Sequence, residues 1–363
     1  MAFDIGKLAA LFQFGNSAVR GQVIGVDIGA SAIKVVALHN VDGVPTLDTY
    51  GELQLGPYAR GTIGEVVELP AERQKEALVD IMRESSMNGT HAAFSVPNRS
   101  SFLTTLTLDT MSEADIQSRI PIEARKYVPI PTNEVTLDWF VLNTNKEKTQ
   151  THILLAAIFN EAFQESERVL EGAGLSTLVS ELEPFGAVRG TIATKDASVA
   201  LLDLGASSTK VYVVQDGMVQ DVHILRLSGS ELTRVFAETS GIEFGKAEEL
   251  KRSIGITQNT DHKNAVTQMR VHLERGLREV GKRITDSEKE SGKQVSHVYV
   301  LGGGAFLPGL IPFAQNILQR PMQFADPFSK VAYPAFLEDT LATAGPSFAV
   351  ALGVALRGLT TLE

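Results

Sequence analysis

Residues 23–38 read VIGVDIGASAIKVVAL, and residues 199–214 read VALLDLGASSTKVYVV. Each is an apolar run, an Asp-x-Gly-Ala-Ser turn and a second β-rich run. The pattern predicts a strand, a tight turn with a carboxylate at its mouth, and a returning strand. Used twice in one chain, it points to two lobes that face one ligand. The carboxylates are Asp27 and Asp203, and Lys34 and Lys210 each follow seven residues later. Strand alternation allows one of these lysines to reach back toward the turn.

The ligand suited to this arrangement is a nucleotide phosphate tail with its metal. Backbone N–H groups in tight Gly turns point at phosphates. Carboxylates hold magnesium, often through its waters, because that ion is reluctant to dehydrate. A single Asp-x-Gly turn reads more simply as an ordinary hairpin. The repetition favours the ligand, as does a third Gly cluster, Gly302-Gly303-Gly304, after the buried run His297–Leu301. A Gly triplet between strand and helix lets backbone approach a flat ring closely, although a plain strand-to-helix turn has the same composition.

Outward from the first repeat, 46–55 is predicted as a strand and 71–87 as a helix stopped by Asn88-Gly89. The texture then changes. Short strands over 92–96 and 102–108 precede a helix over 112–127, which opens on a capping-type Ser112-x-x-Asp115. Pro129-Ile130-Pro131 breaks the chain, and strands at 135–142 and 153–159 flank a polar hairpin. Residues 91–165 thus read as a small α/β insertion. A helix over 160–171, a strand over 175–182 and a helix over 183–194 lead to the second repeat. A strand over 218–225 and helices near 230–239, 244–254 and 262–291 follow it. After the Gly triplet comes a helix over 307–318, and the Ala/Gly/Leu-rich end of the chain is also predicted helical.

At 363 residues the chain calls for two domains or several subdomains. A net charge of -10 argues against a nucleic-acid partner. With 0 Cys there is no disulfide framework, thiolate zinc site or Cys nucleophile. The seven His show no metal-ligand spacing, and Gly241–Ala247 fails as a P-loop because its spacing is one short and Ser/Thr is missing. No signal peptide and no span-length apolar stretch are expected. Ile5, Leu8, Leu11 and Phe12 predict a weakly amphipathic helix over 3–14 that either packs or lies on a membrane surface.

Phosphate loop, connector, second phosphate loop and adenosine loop in this order resemble the actin, heat-shock-70 and hexokinase superfamily. Several stretches resemble the PilM family of type IV pilus assembly proteins in particular. They are Phe94-Ser95-Val96-Pro97, the run Glu123–Pro131, Glu134-Val135 with Asp138, Gly172-x-Gly174-Leu175 and Glu181-x-Glu183. The resemblance implies an actin-like (ribonuclease H-like) two-lobed α/β fold with a 1C (SHS2-like) subdomain inserted in the first lobe, as in PilM and the division protein FtsA. The implied parts are an N-terminal segment 1–20, a first lobe from 21–90, 166–197 and 335–363, and the insertion 91–165. The second lobe takes 198–229 and 293–334, with a helical subdomain 230–292.

Carried over by resemblance, Asp27 and Asp203 match the magnesium-associated aspartates. Gly29, Ala30, Ser31, Gly205, Ala206, Ser207 and Ser208 match the phosphate loops, and Lys34 the phosphate-contacting lysine. Gly302, Gly303 and Gly304 match the adenosine loop. Glu248 and Lys251 resemble a Glu-x-x-Lys helix that clasps adenosine, where a solvated i,i+3 ion pair is the plainer alternative. Glu183 sits where heat-shock-70 proteins place a Glu-Pro near the attacking water. Ala206 departs from actin, which has an Asp there, so any ATPase is expected to be slow. ATP or ADP with magnesium is the implied cofactor set.

The family resemblance further implies a cytoplasmic adaptor held at the inner membrane by its partners. It would take the N-terminal cytoplasmic peptide of PilN in a groove near Phe94, Val96, Phe102 and Tyr127. Its other implied contacts are the inner-membrane PilN/PilO complex, the cytoplasmic pilus motor ATPase and a further copy of itself. The alternatives are an FtsA-like filament-forming membrane tether and a small-molecule kinase. The first would be expected to carry a C-terminal amphipathic helix that the ending Leu359–Glu363 lacks. The second would need a further acid or base in the cleft.

Overall fold

The computed structural model describes residues 21–109, 113–128, 130–144, 149–193, 198–257 and 261–362. The amphipathic helix expected over 3–14, the cap expected at Ser112 and the break expected at Pro129 lie outside them.

The first repeat forms β1 (Val23–Ile28) and β2 (Ala32–Val41), followed by β3 (Val44–Gln54), α1 (Ala71–Glu84) and β4 (His91–Val96). The insertion holds β5 (Ser101–Asp109), α2 (Glu113–Ala124), β6 (Val135–Thr144) and β7 (Gln150–Phe159). The chain returns through α3 (Asn160–Gly172), β8 (Ser176–Leu182) and α4 (Glu183–Thr191). The second repeat forms β9 (Val199–Leu204) and β10 (Thr209–Gln215), then β11 (Met218–Leu225), α5 (Gly229–Ser240), α6 (Phe244–Ile254) and α7 (Lys263–Ser291). β12 (Val298–Leu301), α8 (Leu310–Leu318) and β13 (Met322–Phe324) complete the second lobe, and α9 (Glu338–Ala344) and α10 (Ala349–Leu362) return to the first.

Two five-stranded sheets result, with one strand plan used twice: β3-β2-β1-β4-β8 and β11-β10-β9-β12-β13. In each, the repeat hairpin and its third strand are antiparallel, and the two added strands are parallel to the first strand of the hairpin. Strands at the centre of such sheets are buried on both faces and read as continuous apolar runs. β9 is buried throughout for this reason.

Leu78 of α1 and Val169 of α3 pack on the face of the first sheet that carries Ile24 and Val26. α10 packs on the other face, with Leu352 and Leu356 against Val23 and Ala93. Its fit depends on glycine, because a Cβ on Gly25 would stand 2.1 Å from Ala351 O and one on Gly353 1.9 Å from Gly186 O. The 28-residue run Ala335–Leu362 is long and apolar enough to cross a membrane, contrary to the sequence expectation, but 67% of its apolar window is buried inside the fold. In the second lobe, Val266, Met269, Leu273, Leu277, Val280 and Ile284 of α7 face the sheet at helical spacing. The remaining face of β9 and β10, with Leu201, Tyr212 and Val214, joins the first lobe's core through Phe185 and Val188 of α4.

Three boundaries differ from expectation. His91–Val96 belongs to the first-lobe sheet, between β1 and β8, so the insertion begins after Pro97 rather than at 91. The chain recrosses before 335: Phe328 packs beside Tyr50 and Phe348, and Ala332 exchanges backbone hydrogen bonds of 2.9 and 2.8 Å with Leu47 and Pro45. The helix after the Gly triplet starts at Leu310 because Pro308-Gly309 precedes it, Gly309 with a φ of 84°. β13, too short to leave a pattern, was not expected at all.

Candidate nucleotide site between the lobes

The two repeats make the same turn. Gly29 N–H donates to Ala32 O at 3.0 Å, and Gly205 N–H donates to Ser208 O at 3.0 Å. Antiparallel pairing sets Asp27 directly opposite Lys34 and Asp203 directly opposite Lys210. Residues opposite one another in such a ladder share a face of the sheet. Both turns open on a single cavity of about 530 Å³, a size suited to a small-molecule ligand. Every expected nucleotide-site residue lines it: Asp27, Gly29, Ala30, Ser31, Lys34, Asp203, Gly205 to Ser208, Glu248, Lys251 and Gly302 to Gly304, together with Glu183.

Behind the cavity lining, Ser95 Oγ donates to Asp27 Oδ1 at 2.8 Å. Glu183 is the first residue of α4, with Pro184 next, a favourable start for a helix. Its carboxylate pairs with Lys210 Nζ and accepts from Asn98 N–H at 3.3 Å. Lys210 Nζ also lies 3.3 Å from Asp203 Oδ2. Burial pushes the Glu183 carboxyl up, Lys210 opposes this, and Asp203 and Asp27 add to the rise. Burial acts to lower Lys210, but Asp203, Glu183 and Asp27 together hold it above its ordinary value. Tyr212, whose hydroxyl accepts from Asn98 Nδ2 at 3.3 Å, is raised by burial and by the same carboxylates.

The far wall is the Glu248 and Lys251 pair. The two are 4% and 7% exposed, so this is no solvated surface pair. Lys251 Nζ reaches Glu248 Oε2 at 2.7 Å, Thr233 Oγ1 at 2.8 Å and Gly229 O at 2.9 Å, while Arg252 Nε donates to Glu248 Oε1 at 2.6 Å. Burial acts to raise the Glu248 carboxyl, but Lys251 and the hydrogen bonds hold it below the usual range; burial draws Lys251 down despite Glu248. The cluster ties α6 to the start of α5. That start is itself hydrogen-bonded to the second phosphate loop, Gly229 N–H to Gly205 O and Ser230 N–H to Ala206 O, both at 3.0 Å.

A loop of the first lobe meets this wall. A Cβ on Gly64, which has a φ of 81°, would lie 2.7 Å from the Glu248 carboxyl, and one on Gly245 would lie 3.2 Å from Thr62. Of the Gly triplet, Gly302 lies against Asp203 and Gly304 against Leu204, and Gly303 alone meets nothing within 4 Å. Close backbone packing therefore demands two of the three glycines, and one is left for the open cavity.

Sequence reasoning missed Ser95, Asn98, Arg99 and Tyr212, of which Asn98 and Arg99 line the cavity. The signal for Ser95, Asn98 and Arg99 is the strand before Pro97, whereas Tyr212 stands on β10, two residues after Lys210. β4 runs parallel to β1, so its carboxyl end delivers residues beside Asp27.

The expected peptide residues do not form one surface. Phe94 and Val96 are 2% and 1% exposed, because β4 is an inner strand of the first sheet. Phe94 stacks on Phe163 with ring centroids 5.7 Å apart. Phe102 is half-buried against the cluster between the insertion's sheet and α2, and Tyr127 is 47% exposed.

Comparison with known proteins agrees with this architecture. The chain is 21% identical over 344 residues to the cell division protein FtsA of Bacillus subtilis (strain 168), covering 84% of this chain and 78% of that protein. It is 22% identical over 377 residues to FtsA of Enterococcus faecalis, covering 88% and 84%. Among solved structures it is similar to a chain of the PilM-PilN type IV pilus biogenesis complex, with 27% identity and a TM-score of 0.78 over 94% of this chain and 99% of that one. It is also similar in fold to the ethanolamine utilization protein EutJ from Carboxydothermus hydrogenoformans, at 16% identity, TM-score 0.56, and 97% and 94% coverage. The fold is thus the actin-like two-lobed α/β fold. The family model for the type IV pilus assembly protein PilM matches residues 25–359, so the chain belongs to the PilM family of type IV pilus assembly proteins.

Proposed function

We propose that the chain is a nucleotide-binding adaptor of a type IV pilus machine, which holds ATP or ADP with magnesium between its lobes and takes the N-terminal cytoplasmic peptide of PilN on its insertion. The observation that carries the nucleotide reading is the pair of identical turns opening on one cavity. Gly29 and Gly205 N–H close the two turns, which leaves the backbone N–H groups of Ala30 and Ser31 and of Ala206 to Ser208 to offer to phosphates, and Lys34 offers a charge. Asp27 and Asp203 would hold magnesium together with phosphate oxygens. Magnesium is commonly held by one or two carboxylates together with substrate phosphates, which matches the pair Asp27 and Asp203. Bound magnesium neutralises phosphate charge. Glu183 lines the cavity, and Lys210 and Asn98 N–H engage its carboxylate. With Ala206 in the second turn, slow turnover follows, and nucleotide acts chiefly as a ligand that locks the lobes.

The peptide reading is supported by the 27% likeness to the PilM-PilN complex. It is also supported by half-buried Leu103, Phe140, Leu142 and Phe163, which pack at the seam between the insertion and the first lobe. β6 lies at the edge of its sheet, where an extended peptide can add as a strand. These residues replace Phe94 and Val96 as the candidate groove. On this reading the chain works on the cytoplasmic side of the inner membrane, tethered through PilN and its partner PilO, and relays to the pilus motor ATPase and to further copies of itself.

Titration with a synthetic PilN-type N-terminal peptide in magnesium-ATP tests the proposal, with micromolar or tighter binding expected. Absence of peptide binding together with phosphorylation of a small molecule would sink it. The identity to FtsA proteins favours a second reading, a membrane-tethered filament, which ATP-dependent polymers on lipid would support.

A further inference from the structure

We infer that Lys210 is a resident counter-cation of the cleft, which allows nucleotide to stay bound when divalent metal is withdrawn; this rests on the nucleotide reading above. Lys210 stands on β10 of the second lobe, opposite Asp203 in the ladder, and its Nζ spans to Glu183 on α4 of the first lobe. Its side chain is nearly buried, as are both of its carboxylate partners. Among the described residues the equivalent lysine of the first repeat, Lys34, forms no ion pair, whereas Lys210 forms two. The two lysines therefore do different work from equivalent positions.

Three carboxylates, Asp27, Asp203 and Glu183, border the place where phosphates would lie. A polyanionic ligand entering that field is repelled unless cations offset it, and in a partly buried site each charge counts far more than in water. A divalent ion supplies this offset when present. Lys210 supplies part of it permanently, because its ammonium is pinned between two of the three carboxylates. It has a second effect on the same atoms: it keeps Glu183 engaged and joins the two lobes beneath the ligand.

The test measures the ratio of ATP Kd in excess chelator to Kd in magnesium, by calorimetry on the full chain. The wild type is expected to lose about tenfold on chelation. K210M should lose at least about tenfold more than that. K210M strands two buried carboxylates, so K210Q, whose amide still donates hydrogen bonds to them, carries the same test in a chain that keeps those bonds. K210R, which retains the charge, should stay within about threefold of the wild-type ratio. A K210Q ratio equal to the wild type, with the wild type binding ATP, overturns the role of Lys210 alone. No ATP binding by the wild type in magnesium overturns the nucleotide reading and this inference together.

Discussion

Gly302 lies so close to Asp203 that a Cβ at position 302 would stand 2.4 Å from the Asp203 Oδ1 atom. Gly302 also has a φ of 85° and donates its N–H to Pro346 O at 2.9 Å. G302A therefore strains the backbone and displaces a carboxylate of the cavity at once. We expect a stability loss of about 1–3 kcal/mol and a marked loss of nucleotide affinity. G303A, which meets open space, should unfold at the wild-type temperature. Thermal unfolding with and without nucleotide separates the two.

Asp203→Ala should weaken retention of magnesium-ATP, read as nucleotide occupancy after gel filtration. Unchanged occupancy would show that the second turn does not serve the phosphates.

Phe94 and Phe140 should behave oppositely. Phe94 is buried in the first-lobe sheet, so F94A should cost about 3–5 kcal/mol in stability. Phe140 is half-buried at the seam. F140D should reduce affinity for a PilN-type peptide at least about tenfold and leave the stability loss below that of F94A. Equal peptide affinity in F140D would place the groove elsewhere.

K251M leaves Glu248 as a buried carboxylate without its ammonium, a loss of about 3–5 kcal/mol by urea unfolding. Lys246 pairs with Glu249 at 2.8 Å in the open, and K246A should change stability by less than about 0.5 kcal/mol. Similar effects from both would contradict the buried arrangement.

Glu288 binds Arg320 at 2.7 Å and accepts from Val295 N–H at 2.7 Å. Burial acts to raise its carboxyl, but Arg320 and the Val295 N–H hold it below the ordinary 4.5. A carboxyl lowered by folding adds stability above the unfolded value and loses it as the pH falls through the folded one. The stability gap between wild type and E288Q should therefore be widest near neutral pH and close below about pH 4.5. A gap that stays constant in urea titrations across that range would refute the assignment.

The doubled Asp-x-Gly-Ala-Ser made the two hairpins and the site between them legible, because it carries a strand signal and a turn signal in the same register. The buried helix faces were legible for the same reason: α7 repeats its apolar residues every three to four positions. Less visible was what depends on contacts between distant segments. Phe94 and Val96 look like surface candidates in a short apolar run, yet β4 slots between β1 and β8. Asn98 has no local signature, and its bonds to Glu183 and Tyr212 cross 85 and 114 positions of sequence. The long apolar end of the chain could be read as exposed or packed until Gly25, Gly186 and Gly353 showed how closely α10 lies on its neighbours.

The contact of Gly64 with Glu248, and of Thr62 with Gly245, has a kinetic consequence. Two lobes that share a floor through α4 also touch at this rim, and there the fit is set by missing side chains rather than by attraction. A methyl group added at Gly245 would meet Thr62 at 3.2 Å, at the rim and away from the residues of the two turns. On the nucleotide reading, the residence time of a bound molecule is expected to respond to this rim separately from the two turns.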